Sequence, residues 1–185
     1  KLALFCNVHL NSVIEAIDAD SIYDVPLLMK KEKLDERVLA KLKVSSRKDP
    51  DLDHWKEFLG RVKSPTEEVN IGLVGKYVSL PDSYKSINEA FVHAGAENDC
   101  KVNVKWISSE DVTPETSESI LAGLDGILVA PGFGERGMEG KIEAIRSVRE
   151  QKIPFFGVCL GMQCAVIEFA RNVLKLRQAS STELD

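Results

Sequence analysis

Two rhythms of apolar and polar positions alternate along the chain from Val69 onward. Short, mostly apolar runs at Asn70–Gly75, Lys101–Ile107, Asp125–Ala130 and Ile153–Val158 have the length of strands. Ser83–Glu97, Pro114–Gly123, Glu139–Gln151 and Leu160–Leu174 follow them with helical spacing. Strand-then-helix alternation predicts an α/β fold, a parallel sheet with helices on both faces in three layers, flavodoxin- or Rossmann-like. Ligands of such sheets bind beyond the carboxyl ends of the strands, so chemistry is sought in the loops there.

The first part of the chain has a different rhythm. Lys1–Val8 is a continuous apolar run of the kind found in a central parallel strand covered on both faces. Nothing as far as Val62 supplies the sheet it would join, so the chain reads as a piece of something longer. Ser12–Ile17 is a short apolar stretch, and Ser21–Pro26 a turn or helix entry. Leu27–Leu34 and Asp35–Val44 carry helical spacing, with Leu34, Val38, Leu39 and Leu42 on one face. Asp51 is placed to cap a further helix to about Val62, striped by Leu52, Trp55, Phe58 and Leu59. Polar, proline-containing Lys63–Glu68 marks a linker between a helical segment, 1–62, and an α/β segment, 69–185.

Composition narrows the classes of function. At 185 residues, 44% hydrophobic and 29% charged, the chain can bury a core. Its net charge of -5 argues against a nucleic-acid partner. No apolar run approaches the ~20 residues of a membrane span, so no membrane partner is expected. Cys6, Cys100, Cys159 and Cys164 form no C-x-x-C pair and no zinc spacing, so no metal site is expected and the scattered thiols fit a reducing cytoplasm. Cys6 and Cys100, in or beside predicted strands, read as core filler.

Candidate chemistry gathers at Ile153-Pro-Phe-Phe-Gly-Val-Cys159-Leu-Gly-Met-Gln163. A strand, a sharp turn and a helix with one reactive side chain at the corner is the layout of a nucleophile elbow. Gly157 and Gly161 remove the Cβ atoms that would clash where strand and helix close on the turn. Cys159 then starts a helix, where the backbone dipole favours a thiolate. Gln163 follows one helical turn later on the same face, within reach of a substrate at the cysteine.

One strand earlier, Pro131-Gly-Phe-Gly-Glu-Arg-Gly137 spells G-x-G-x-x-G with Gly132, Gly134 and Gly137. A dinucleotide site would also need an acidic residue at the end of the next strand, and Cys159 stands there. No Gly-Lys-Ser/Thr follows, so the loop is not a phosphate-binding P-loop. It serves better as half of an oxyanion hole, the other half being the N–H of Leu160. A cysteine in acyl transfer also needs a base. His9 and His54 precede the α/β segment and His93 closes its first helix, so none suits, and the isolated chain is expected to be nearly inert.

Gly157-Val-Cys159-Leu-Gly-Met-Gln163 resembles the nucleophile motif of class I glutamine amidotransferases. With Lys1–Val8, Asp20–Tyr23, Val74–Tyr77, Asp82–Lys85, the glycine loop and Ser181-Thr-Glu183, the chain resembles the CTP synthase family. The likeness implies a class I amidotransferase-like fold preceded by the tail of an ATP-dependent synthetase (amidoligase) domain. It implies that glutamine hydrolysis at Cys159 supplies ammonia for ATP-dependent amination of UTP to CTP in pyrimidine biosynthesis. ATP and Mg2+ serve that ligase reaction, GTP activates the glutaminase step, and relatives assemble as homotetramers. By position, Gly132 and Leu160 bind substrate and oxyanion, while Gln163 and Glu183 hold glutamine. Lys1 matches a UTP/CTP contact, and Asp18 with Ala19 an adenine-contacting strand of the ATP site, where Ile17 replaces a lysine of many relatives. Lys85 falls in a GTP-responsive region. The chain departs from the family at Ala130-Pro131, where relatives carry Pro-Gly, and by lacking the His-Pro-Glu segment that completes their triad. Another class I amidotransferase, a cysteine hydrolase, or a non-catalytic regulatory module are the other readings.

Overall fold

A computed structural model describes residues 1–45 and 48–182. The chain divides into two compact units, Lys1–Lys63 and Ser64–Asp185.

In the first unit the described residues are helical or irregular, with no strand. Its helices are α1 (Leu2–Phe5), α2 (Val25–Lys31), α3 (Leu34–Leu42) and α4 (Asp53–Lys63). The run predicted as a central strand is therefore a single helical turn, with Leu2, Leu4 and Phe5 65%, 88% and 91% exposed. A strand has unpaired amides unless a neighbour accepts them. The described residues of this unit offer no neighbouring strand, so the backbone bonds to itself, as in Phe5 N–H to the Lys1 carbonyl and Cys6 N–H to that of Leu2. Cys6 is exposed, not core filler, for the same reason. Asp51 accepts from the Asp53 N–H at 2.9 Å and so starts α4. The α4 aromatics pack with Tyr23, at ring separations of 6.0 Å for Trp55 and 5.3 Å for Phe58, and the Trp55 indole donates to the Tyr23 carbonyl.

The second unit is a parallel sheet in the order β2-β1-β3-β4. Its strands are β1 (Glu67–Gly75), β2 (Cys100–Ser108), β3 (Gly126–Val129) and β4 (Phe155–Gly157). The helices are α5 (Lys85–Glu97), α6 (Ser117–Leu121), α7 (Met138–Gln151) and α8 (Leu160–Glu168), which runs on as a π-helical turn, Phe169–Val173. Alternate residues of the central strands face opposite layers, as the two-residue period of a strand requires. Val74, Ile127 and Val129 join Leu121 of α6, Ile142, Ile145 and Val148 of α7, and Leu160 and Cys164 of α8 in one core. Leu73, Leu128 and Ala130 join Tyr84, Ile87 and Phe91 in the other. The three-layer α/β architecture read from the sequence is thus present. The helix read at Pro114–Gly123 is shortened because Thr116 Oγ1 accepts from the Thr113 N–H, closing a turn ahead of α6.

Candidate active site

Strand order places three carboxyl ends side by side. Val74 pairs with Val129, and Val129 with Gly157. The bonding continues past the strands, with Ala130 N–H to Val74 and Val158 N–H to Val129. The chain leaving β1 at Lys76, the glycine loop leaving β3 and Cys159 leaving β4 therefore share one edge of the sheet.

Cys159 occupies φ 53°, ψ -111°, directly before α8, and is exposed. That combination is open to glycine and strained for any residue with a Cβ, by roughly 1–3 kcal/mol. Tight closure of strand on helix imposes it. A Cβ on Gly157 would lie 2.7 Å from Gly161 backbone atoms, and one on Gly161 would overlap the Val129 carbonyl. The first amide donors of a helix have no intrahelical acceptor. Neither the Leu160 N–H nor the Gly132 N–H has a hydrogen-bond partner among the described residues.

Cys164, one turn further, is buried, and burial pushes its thiol above the usual cysteine range against the attraction of Lys141. Of two thiols five residues apart, Cys159 alone meets solvent.

Two lysines missed in the sequence reading lie beneath the glycine loop. Lys141 is fully buried (0% exposed), and its Nζ donates to the Ala130 carbonyl at 2.7 Å and more weakly to that of Pro131 at 3.5 Å. Burial lowers it from 10.5 to about 8, with Lys76 adding repulsion and the Cys164 and Cys159 sulfurs opposing. Lys76, also buried, donates to the Phe133 carbonyl at 2.6 Å and to that of Gly134. A signal for Lys141 was present, since it shares a helical face with Ile145 and Val148. Arg136 fastens the far end of the loop, ion-paired to Glu110 at 3.0 Å with its guanidinium 5.7 Å from the Tyr77 ring centre.

Gln163 is half-buried, and its side-chain oxygen accepts from the Ser181 hydroxyl at 2.8 Å. The segment predicted to help hold substrate is thus brought against α8 through Ser181, while Glu183 lies outside the described residues. His93 is exposed on α5, which packs on the opposite face of the sheet from α8. In the first unit, Asp18 and Ala19 sit in an irregular stretch and not in the strand expected there. No hydrogen bond or ion pair joins them to Lys1 among the described residues. Lys85 is exposed at the start of α5. No group of three or more His, Cys, Asp or Glu is placed to hold a metal ion among the described residues. These described residues do not fit an Mg2+ site.

Residues 79–183 match the family described as "Glutamine amidotransferase class-I". The chain belongs to that family. As a class I amidotransferase segment it is joined to residues 1–44 that match "CTP synthase N-terminus". Over its whole length it is similar to CTP synthases, 69% identical to that of Cytophaga hutchinsonii and 57% to that of Methanocaldococcus jannaschii. It spans 34% and 35% of those two proteins. Among solved structures it is similar to the glutaminase domain of Trypanosoma brucei CTPS with bound acivicin. That match has 40% identity and a TM-score of 0.59 over 63% of this chain and 46% of that one. No helix among the described residues is long and apolar enough to cross a membrane.

Proposed function

We propose that the chain carries the nucleophile and oxyanion loop of a glutamine-hydrolysing site within a CTP-forming ligase. The observation that carries this is Cys159, exposed in a strained backbone conformation beside the glycine loop. The Cys159 sulfur attacks the side-chain carboxamide carbon of glutamine. The oxygen that gains charge is met by the N–H groups of Gly132 and Leu160. One such preorganised donor is worth about 2.7–4 kcal/mol in the transition state. Collapse expels ammonia and leaves a thioester, which water cleaves to glutamate, so glutamine and water become glutamate and ammonia. Gln163, steadied by Ser181, and Glu183 hold the amino-acid end of the substrate.

In the whole protein this ammonia displaces phosphate from ATP-activated UTP to give CTP. Lys1–Lys63 carries the end of the domain that does so, Lys1 touching the pyrimidine nucleotide and Asp18 and Ala19 the adenine. GTP acting near Lys85, Mg2+ in the ligase domain, a homotetramer and a cytoplasmic location complete the reading. The likeness to CTP synthases supports each of these. His93, the histidine of the unit that carries Cys159, is exposed on α5 across the sheet from α8, so this unit's own glutaminase turnover is low.

A diazo-ketone glutamine analogue tests the reading, with the labelled site read by peptide mass spectrometry. Selective modification of Cys159, competed by glutamine and lost in Cys159→Ala, is the expected result. Equal labelling of Cys6, Cys100 and Cys159 would overturn it.

A further inference from the structure

A fully buried lysine with no carboxylate on its Nζ among the described residues is a costly way to fill a core. A methionine of similar length would fill the space beneath the glycine loop without burying a charge. What the lysine adds is hydrogen-bond donation to backbone. Nζ of Lys141 holds the Ala130 and Pro131 carbonyls, and Nζ of Lys76 those of Phe133 and Gly134. Two cations thus turn four carbonyls of one short loop inward.

In a trans peptide the C=O and the following N–H point in opposite directions. With the Pro131 carbonyl turned to Lys141, the Gly132 N–H points away from the Lys141 ammonium. The loop leaves β3 at the same sheet edge where Cys159 leaves β4, and the Gly132 N–H has no backbone acceptor among the described residues. Proline contributes too, since its ring fixes φ immediately before this peptide and limits flipping.

We propose that Lys141, with Lys76 in support, is a positioning residue that presents the Gly132 N–H to the oxyanion. The inference rests on the glutaminase reading above and adds to it the device that keeps the loop ready. It also gives the Ala130-Pro131 sequence a part, as the rigid, donor-free step on which the Lys141 ammonium pulls.

The test compares two electrophiles on the full chain, wild type and Lys141→Met. Iodoacetamide reports the thiol alone, whereas the diazo-ketone glutamine analogue also needs the oxyanion site. The variant is expected to lower the diazo-ketone rate by about 10²-fold, the effect of one lost donor, with a much smaller change in the iodoacetamide rate. An unchanged ratio of the two rates in folded variant protein overturns the inference, as does an equal fall in both. Failure of the wild type to label selectively at Cys159 overturns the glutaminase reading instead. If Lys141→Met does not fold, a measurement on wild type decides. Ala130-Pro131 is the only Ala-Pro pair in the sequence. Carbonyl-13C alanine with 15N proline therefore singles out the carbonyl that Lys141 holds. Its resonance is expected to titrate with a midpoint near the Lys141 value of about 8, in surroundings whose other titrating groups are Lys76, Cys159 and Cys164. A resonance that does not move between about pH 6.5 and 9.5 overturns the inference.

Discussion

Replacing Cys159 by glycine separates the thiol from the backbone that carries it. The residue sits at φ 53°, ψ -111° and is exposed, so its side chain contributes little packing while its Cβ makes the conformation expensive. A strained position of this kind costs roughly 1–3 kcal/mol. Glycine removes that strain but loses more chain entropy on folding, by about 0.4–1 kcal/mol relative to alanine. The net expectation for Cys159→Gly against Cys159→Ala is a gain of about 0.5–2 kcal/mol. Cys159→Ala keeps the strain and discards only the exposed sulfur, so it stays within about 0.5 kcal/mol of wild type. Urea denaturation followed by fluorescence and circular dichroism measures both. For a slope of about 2 kcal/mol/M, the glycine variant's midpoint lies about 0.25–1 M above that of the alanine variant. Both lose diazo-ketone labelling. A glycine variant no more stable than the alanine one would show that the bend stores no strain, and the elbow argument would lose its physical basis.

Three further outcomes follow from the same packing. Gly161→Ala puts a Cβ onto the Val129 carbonyl, which is backbone and cannot step aside; destabilisation of about 1–3 kcal/mol in denaturant is expected, with loss of selective Cys159 labelling as α8 is pushed off the sheet. Glu168 is buried and paired to Arg149 at 2.9 Å between α8 and α7; Glu168→Ala removes that buried partner and is expected to cost about 1–3 kcal/mol, whereas Glu57→Ala, which breaks an exposed i,i+4 pair with Arg61 on α4, costs under about 1 kcal/mol. Lys141 has a folded-state pKa below its unfolded value of 10.5, at about 8. The unfolded chain therefore binds the extra proton between those values, and this group's penalty is fully present below pH 8 and relieved as pH rises toward 10.5. Wild type is thus expected to gain on Lys141→Met by at most about 3 kcal/mol between pH 7.5 and 10, and a pH-independent difference between them would refute the buried ammonium.

Local pattern settled much of the second unit. The apolar runs at 70–75, 101–107, 125–130 and 153–158 all contain strands, and the helices read after them are present. The Gly-x-Cys-x-Gly spacing carried the elbow, because closure of a strand on a helix is decided within five residues. Strand order, and hence the meeting of the glycine loop with Cys159 at one edge, was beyond local pattern. So were the burial of Lys76 and Lys141 and the contact of Ser181 with Gln163, each made by residues distant in sequence.

Lys1–Val8 shows the same boundary from the other side. Its composition is that of a buried strand, but a strand exists only when another backbone answers its amides, and among the described residues of Lys1–Lys63 none does. Residue order thus determined which segments could become strand, helix or bend. Which polar groups lost their water, and which carbonyls captured the two lysines, depended on the packed chain, because desolvation and long-range hydrogen bonds belong to neighbours that sequence adjacency does not name.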